Sequence, residues 1–154
     1  QPKVAKTMEI QHLHSIQEIS MHYPTGELPV LVLCSDTQQY ICKYMRPNAT
    51  ISYKLACEFI GAVFADAWKI NTPPFALVKI MPEHWASVSL SHSSSAPAAG
   101  FRKIEGVIDI TPTSFRQVEV NTETLYQLLK IALFDFWIAN EDRTYNNENL
   151  LYDI

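Results

Sequence analysis

Hydrophobic and polar positions along the chain fall into a few regular stretches. "PVLVLC" (Pro29 to Cys34) is an apolar, β-branched run closed by the turn stretch "SDTQ", and "QYICKYM" (Gln39 to Met45) alternates behind it. Both predict strands. Upstream, "SIQEISMHY" alternates weakly and reads as a further strand. "PTGEL" (Pro24 to Leu28) supplies turn chemistry, with Gly26 free to adopt positive φ. Together they predict an antiparallel meander of about three strands. Residues Met8 to Leu13 fit either a short helix or an opening strand.

The stretch "RPNATI" breaks this pattern. From Ser52 to Trp68, Leu55, Phe59, Ala62 and Val63 recur at helical spacing, and Asn71 with the pair Pro73-Pro74 ends the helix. "FALVKIM" (Phe75 to Met81) predicts another strand. Ser87 to Gly100, rich in Ser, Ala and Pro, reads as a surface loop. "EGVIDIT" (Glu105 to Thr111) is a further extended segment. Asn121 fits a helix N-cap, with Glu123 favourable in the first turn of a strongly apolar helix running to about Ile138. A polar loop and the strand-like "NLLYDI" close the chain. Strands, helix, strands, helix, loop and strand make an α+β plan, not the regular alternation of a doubly wound sheet.

Composition narrows the function classes. A chain of 154 residues, 47% hydrophobic and 18% charged, suits one globular domain. A net charge of −4 without any Lys/Arg run argues against nucleic acid or an anionic membrane gripped by a basic face. No apolar run reaches the roughly 20 residues of a membrane-spanning helix. The three cysteines, Cys34, Cys42 and Cys57, form no CxxC pair and leave an odd count, which points to reduced thiols and a cytoplasmic setting. Cys34 and Cys42 could face each other across neighbouring strands, packed as thiols. The histidines (His12, His14, His22, His84, His92) are scattered; His12 and His14 would serve a zinc ion only on a strand, and no third ligand has suitable spacing. Trp85 and the Ser-rich segment could face a substrate, though an exposed loop is the ordinary reading of their composition. A start at Gln1 rather than Met leads to the expectation of a chain processed, trimmed or cut from something longer.

Three features carry candidate chemistry. Alternation places Ile41, Lys43 and Met45 on one strand face and Tyr40, Cys42 and Tyr44 on the other. Lys43 is then either an edge-strand lysine that snorkels and discourages aggregation, or the partner of a buried acid. Glu58 sits on or beside the apolar stripe of the first long helix, where it is either solvated or paired; Lys43 is the candidate partner. The closing stretch "NEDRTYNNEN" holds Asp142 and, five residues on, Asn147, a D-x-x-x-x-N spacing between an apolar helix and an apolar strand. Phosphoryl transfer uses such a pair: the Asp orients the attacking hydroxyl and takes its proton, and the Asn ligates magnesium beside the phosphates. A polar loop at a helix end is the plain alternative.

With "PVLVLCSDTQQYICKY", "LACEFIGAVFADAWKINTPPFALV", "ITPTSF" and "NEDRTYNNENLL" in this order, the chain resembles the HipA-like kinases of bacteria. The Asp-Arg pair followed by Asn and an apolar strand is also similar to the catalytic loop of phosphatidylinositol 3/4-kinases. The resemblance implies a protein-kinase-like N-terminal lobe over about 14–111, and the start of a helical C-terminal lobe with the catalytic loop over 112–154, in one kinase domain spanning 1–154. It implies ATP and Mg as cofactors, with Lys43 on the α- and β-phosphates and Glu58 orienting it. It also implies Asp142 as catalytic Asp, Asn147 as magnesium ligand, and Gly26 in the turn covering the phosphates. One glycine stands in place of G-x-G-x-x-G, and Asn140-Glu141-Asp142 in place of H-R-D. A second, DFG-type metal-binding Asp would come later than Asp153, which reads as a strand-end residue, so the expectation is a chain that is truncated or completed by a partner.

The implied activity is phosphorylation of Ser/Thr hydroxyls of a protein, in a toxin-antitoxin or growth-control setting with an antitoxin-like partner. Two alternatives stand beside it. One is a kinase of a small molecule or lipid headgroup. The other is a non-catalytic nucleotide-binding or protein-interaction module.

Overall fold

Pro29 to Cys34 is apolar at every position because both faces of its strand are covered. Val30, Leu31, Val32 and Cys34 are all buried. The computed structural model describes residues 9–24, 28–45, 53–85, 96–111, 113–117, 121–140, 143 and 150–153. Within them the strands are β1 (Gln11–His14), β2 (Met21–His22), β3 (Val30–Leu33), β4 (Gln39–Lys43), β5 (Phe75–Lys79), β6 (Ala98–Arg102), β7 (Val107–Asp109) and β8 (Leu151–Asp153). The two α-helices are α1 (Tyr53–Ala67) and α2 (Thr122–Trp137). This is the expected α+β class, in two compact units: Gln1–Phe64 with Thr72–Lys103, and Ala65–Asn71 with Ile104–Ile154.

The first unit holds a six-stranded sheet in the order β1-β5-β6-β4-β3-β2. β2, β3 and β4 form the expected antiparallel meander. Its middle turn is fixed by Asp36, which accepts from the Gln38 backbone N–H at 3.1 Å and from the Tyr40 hydroxyl at 2.8 Å. β1 settles the ambiguity at the N-terminus in favour of a strand, paired in parallel with β5. The stretch read as one strand from Ser15 onward is mostly irregular; only Met21–His22 pairs as a strand, and Ser15 makes an isolated bridge to Cys34. Buried Ser15 instead caps a bend, accepting from the Met81 backbone N–H at 2.8 Å and lying 2.7 Å from His84 Nδ1.

Part of the stretch read as loop is a central strand. β6 runs Ala98–Arg102 and lies between β5 and β4, antiparallel to both. Its register sets Ala98 opposite Val78, Ala99 opposite both Leu77 and Lys43, and Gly100 opposite Ala76 and Cys42.

Alternation along these strands sorts the side chains into two layers. One face packs Val30, Val32, Cys34, Tyr40, Cys42, Tyr44, Ala76, Val78 and Ala98 with Ile19, Ile80 and Trp85. Trp85, read from the sequence as exposed, is fully buried at the end of a 3-10 turn (Pro82–Trp85) and stands edge-on to Tyr44 at 4.8 Å. The opposite face carries Phe75, Leu77, Ala99 and Phe101, and α1 lays Leu55, Phe59 and Ala62 on it. Phe75 meets Phe59 and Phe101 at centroid distances of 5.9 and 5.2 Å. Those helix positions are among the ones the periodicity singles out.

In the second unit, Ala65, Trp68 and Ile70 pack with Ile131 and Phe134 of α2. Trp68 stacks on Trp137 and meets Phe134 edge-on, each at 5.5 Å. β7 and β8 pair antiparallel, with Ile108 opposite Tyr152, so the chain after α2 returns to the stretch that precedes it. Among the described residues, no helix is long and apolar enough to cross a membrane.

Candidate active site

Lys43 is the last residue of β4, and β4 lies between β6 and β3. The edge-strand reading of Lys43 is therefore overturned: its backbone pairs with Ala99 on one side, and the strand is interior. Opposite Ala99, on the α1 face of the sheet, its side chain meets Glu58 of α1 in a direct ion pair. Both side chains are about a third exposed or less, at 30% for Lys43 and 26% for Glu58. An ammonium on an apolar sheet face costs free energy unless a carboxylate answers it, and Glu58 does so. The pair is local to the first unit, built by register on one side and helix periodicity on the other. It leaves the ammonium partly exposed.

The second cluster ends α2. Asn121 caps the helix start in extended geometry, its side-chain oxygen accepting from the Thr124 backbone N–H at 2.8 Å. The other end closes through two reversed bonds: Ala139 N–H to Phe136 O at 3.3 Å, and Asn140 N–H to Asp135 O at 2.9 Å. That is a Schellman closure, with Ala139 at φ 51° in the left-handed position usually given to glycine. Asp135 also uses its carboxylate there. Oδ1 accepts from Asn140 Nδ2 at 2.9 Å, and Oδ2 from Arg143 Nε at 2.5 Å. Asp135 is 15% exposed and Arg143 27%.

Among the expected site residues, the structure brings Lys43 and Glu58 together. Gly26, Asp142 and Asn147 lie outside the described residues. Asp135 was passed over in the sequence as part of an apolar helix. The available signal was a lone carboxylate inside "LFDFWI", where burial demands partners. His12 and His14 do lie on a strand, yet among the described residues no group of three His, Cys, Asp or Glu side chains is placed to hold a metal ion. Cys34 and Cys42 are both free and buried but are not opposed; Cys42 faces Val30 in the ladder. Cys57 is exposed on α1.

A family model described as HipA-like kinase matches residues 16–154 of the chain. No curated protein and no solved structure showed significant similarity to it.

Proposed function

The chain belongs to the HipA-like kinase family, and from that premise we propose an ATP-dependent phosphotransferase that acts on Ser/Thr hydroxyls of a protein. The kinase class follows from the family; the nucleotide, acceptor and residue roles are our reading. The observation that carries it is the Lys43–Glu58 ion pair, which joins an interior strand to the helix packed on it. A carboxylate-anchored ammonium suits nucleotide phosphates, which accept charge-assisted hydrogen bonds. Asn147 offers an amide oxygen, one of the hard oxygen donors that magnesium takes, and Asp142 a carboxylate for the proton of the acceptor hydroxyl.

In this reading Lys43 holds the α- and β-phosphates while Glu58 fixes its position, and Gly26 lies in the turn over the nucleotide. Asn147 would hold magnesium, which when bound neutralises charge on the phosphates. Asp142 orients the acceptor hydroxyl and takes its proton as the oxygen attacks the γ-phosphorus. The bond from that phosphorus to the β-phosphate oxygen breaks, and ADP leaves. The residues contribute mainly position and electrostatics. The Ser/Thr acceptor, the reading of 1–154 as one kinase domain and an antitoxin-like partner rest on the family likeness.

Titration calorimetry with Mg-ATP tests the clamp. Lys43→Ala should weaken nucleotide binding by about 10- to 100-fold, the worth of a charged hydrogen bond; equal binding would overturn the assignment. Asp142→Ala should keep nucleotide binding and lose roughly 100-fold or more in turnover. Phosphoamino-acid analysis of the products then separates a protein acceptor from a lipid or small molecule.

A further inference from the structure

We propose that Asp135 is a positioning residue for the catalytic loop, acting through Asn140 and Arg143. The inference rests on the reading of Asp142 as catalytic. Asp135 sits in the last turn of α2, where the helix dipole disfavours an acid, and within an apolar run. Both local preferences argue against a carboxylate at this position. Its bonds supply the reason for it: the backbone carbonyl and Oδ1 each hold Asn140 at 2.9 Å, while Oδ2 holds Arg143 at 2.5 Å.

The two residues it grips bracket Glu141 and Asp142 in the sequence. Arg143 is the immediate neighbour of Asp142, so consecutive Cα atoms tie the two within about 3.8 Å. One carboxylate thus holds Asn140 and Arg143, which stand on either side of the catalytic position in the sequence, to the last turn of α2. The Arg143 bond is charge-assisted on both sides and directional, so it fixes the orientation of Arg143 against the helix end as well as its distance. Left-handed Ala139 tightens the turn between helix and loop.

The test uses the full chain, with Mg-ATP turnover read as ADP release and backbone amide exchange read over 138–143. Asp135→Asn keeps the size but removes the charge, and turns an NH2 donor towards one of two partners that are themselves donors. It should lower kcat by about 100-fold, the scale of a displacement of about 1 Å at a reacting group. The KM for ATP should stay within about twofold while exchange over 138–143 rises, because the phosphate-holding Lys43 stands on β4 and not on the anchored loop. Asp135→Glu, which keeps the charge, should recover part of the loss. Asp66→Asn, which removes an exposed partner of Lys69, serves as the control that leaves turnover unchanged. The proposal is overturned if Asp135→Asn leaves kcat or the amide exchange as in the parent, or if its loss matches only a loss of folded protein. If Asp142→Ala itself turns over as the parent does, the functional reading falls and this inference with it. A dead Asp142→Ala beside a fully active Asp135→Asn refutes the inference alone.

Discussion

Cys34 and Cys42 are fully buried on the face of the sheet away from α1. Burial pushes the Cys34 thiol up to about 12, with nearby Asp36 adding to it, and holds Cys42 well above its ordinary range for the same first reason. Tyr40 is raised as well, by burial and by its hydrogen bond to Asp36. In the unfolded chain the thiols ionise near about 8.5. Above that pH the unfolded state has lost protons that the folded state still holds. The thiol contribution to stability is therefore complete below about pH 8.5 and is lost as pH climbs towards 12. Denaturant midpoints should fall steadily across that alkaline window and fall less steeply in Cys34→Ala, compared with each protein's own midpoint at pH 7. A flat profile would show that the buried thiols do not govern it. A thiol reagent added to native protein should label Cys57 and spare the other two until denaturant is present.

At the scale of elements, the least legible part of the sheet is its centre. β6 reads "AAGFR", and Ala and Gly are weak strand formers, so composition pointed to a loop. The physical reason lies in the neighbours. A Cβ built on Gly100 would come within 2.8 Å of Val78 Cγ2 and 3.3 Å of Cys42 Sγ, so the strand must be thin where its partners are bulky. Gly100→Ala should destabilise the fold by about 1–3 kcal/mol through overpacking, measured as a shift in denaturant midpoint. Trimming Val78 to Ala in the same chain should return part of that loss. By contrast, α1, α2 and the β3–β4 hairpin were legible because apolar spacing, turn residues and the Asn121 cap agreed. Trp85 was not, because the turn that buries it has no periodicity to read.

At the scale of the whole molecule, the sequence order of strand lysine, helix glutamate and D-x-x-x-x-N loop made a kinase legible before any contact was known. Only the fold could remove the edge-strand reading of Lys43, since strand order is not written in any one segment. The same sheet order has a consequence for how the chain is made. β4 and β5 are both synthesised before β6, and β6 is the strand that comes to lie between them. Until Arg102 has left the ribosome, each of those two strands lacks a neighbour and presents open backbone groups to any other chain. A fragment of 1–95 should therefore self-associate in gel filtration where 1–103 does so much less; equal behaviour would mean the gap closes some other way. The small strand in the middle is also the late one, so the nascent protein passes through a stage with its sheet unjoined and Lys43 at an unguarded edge.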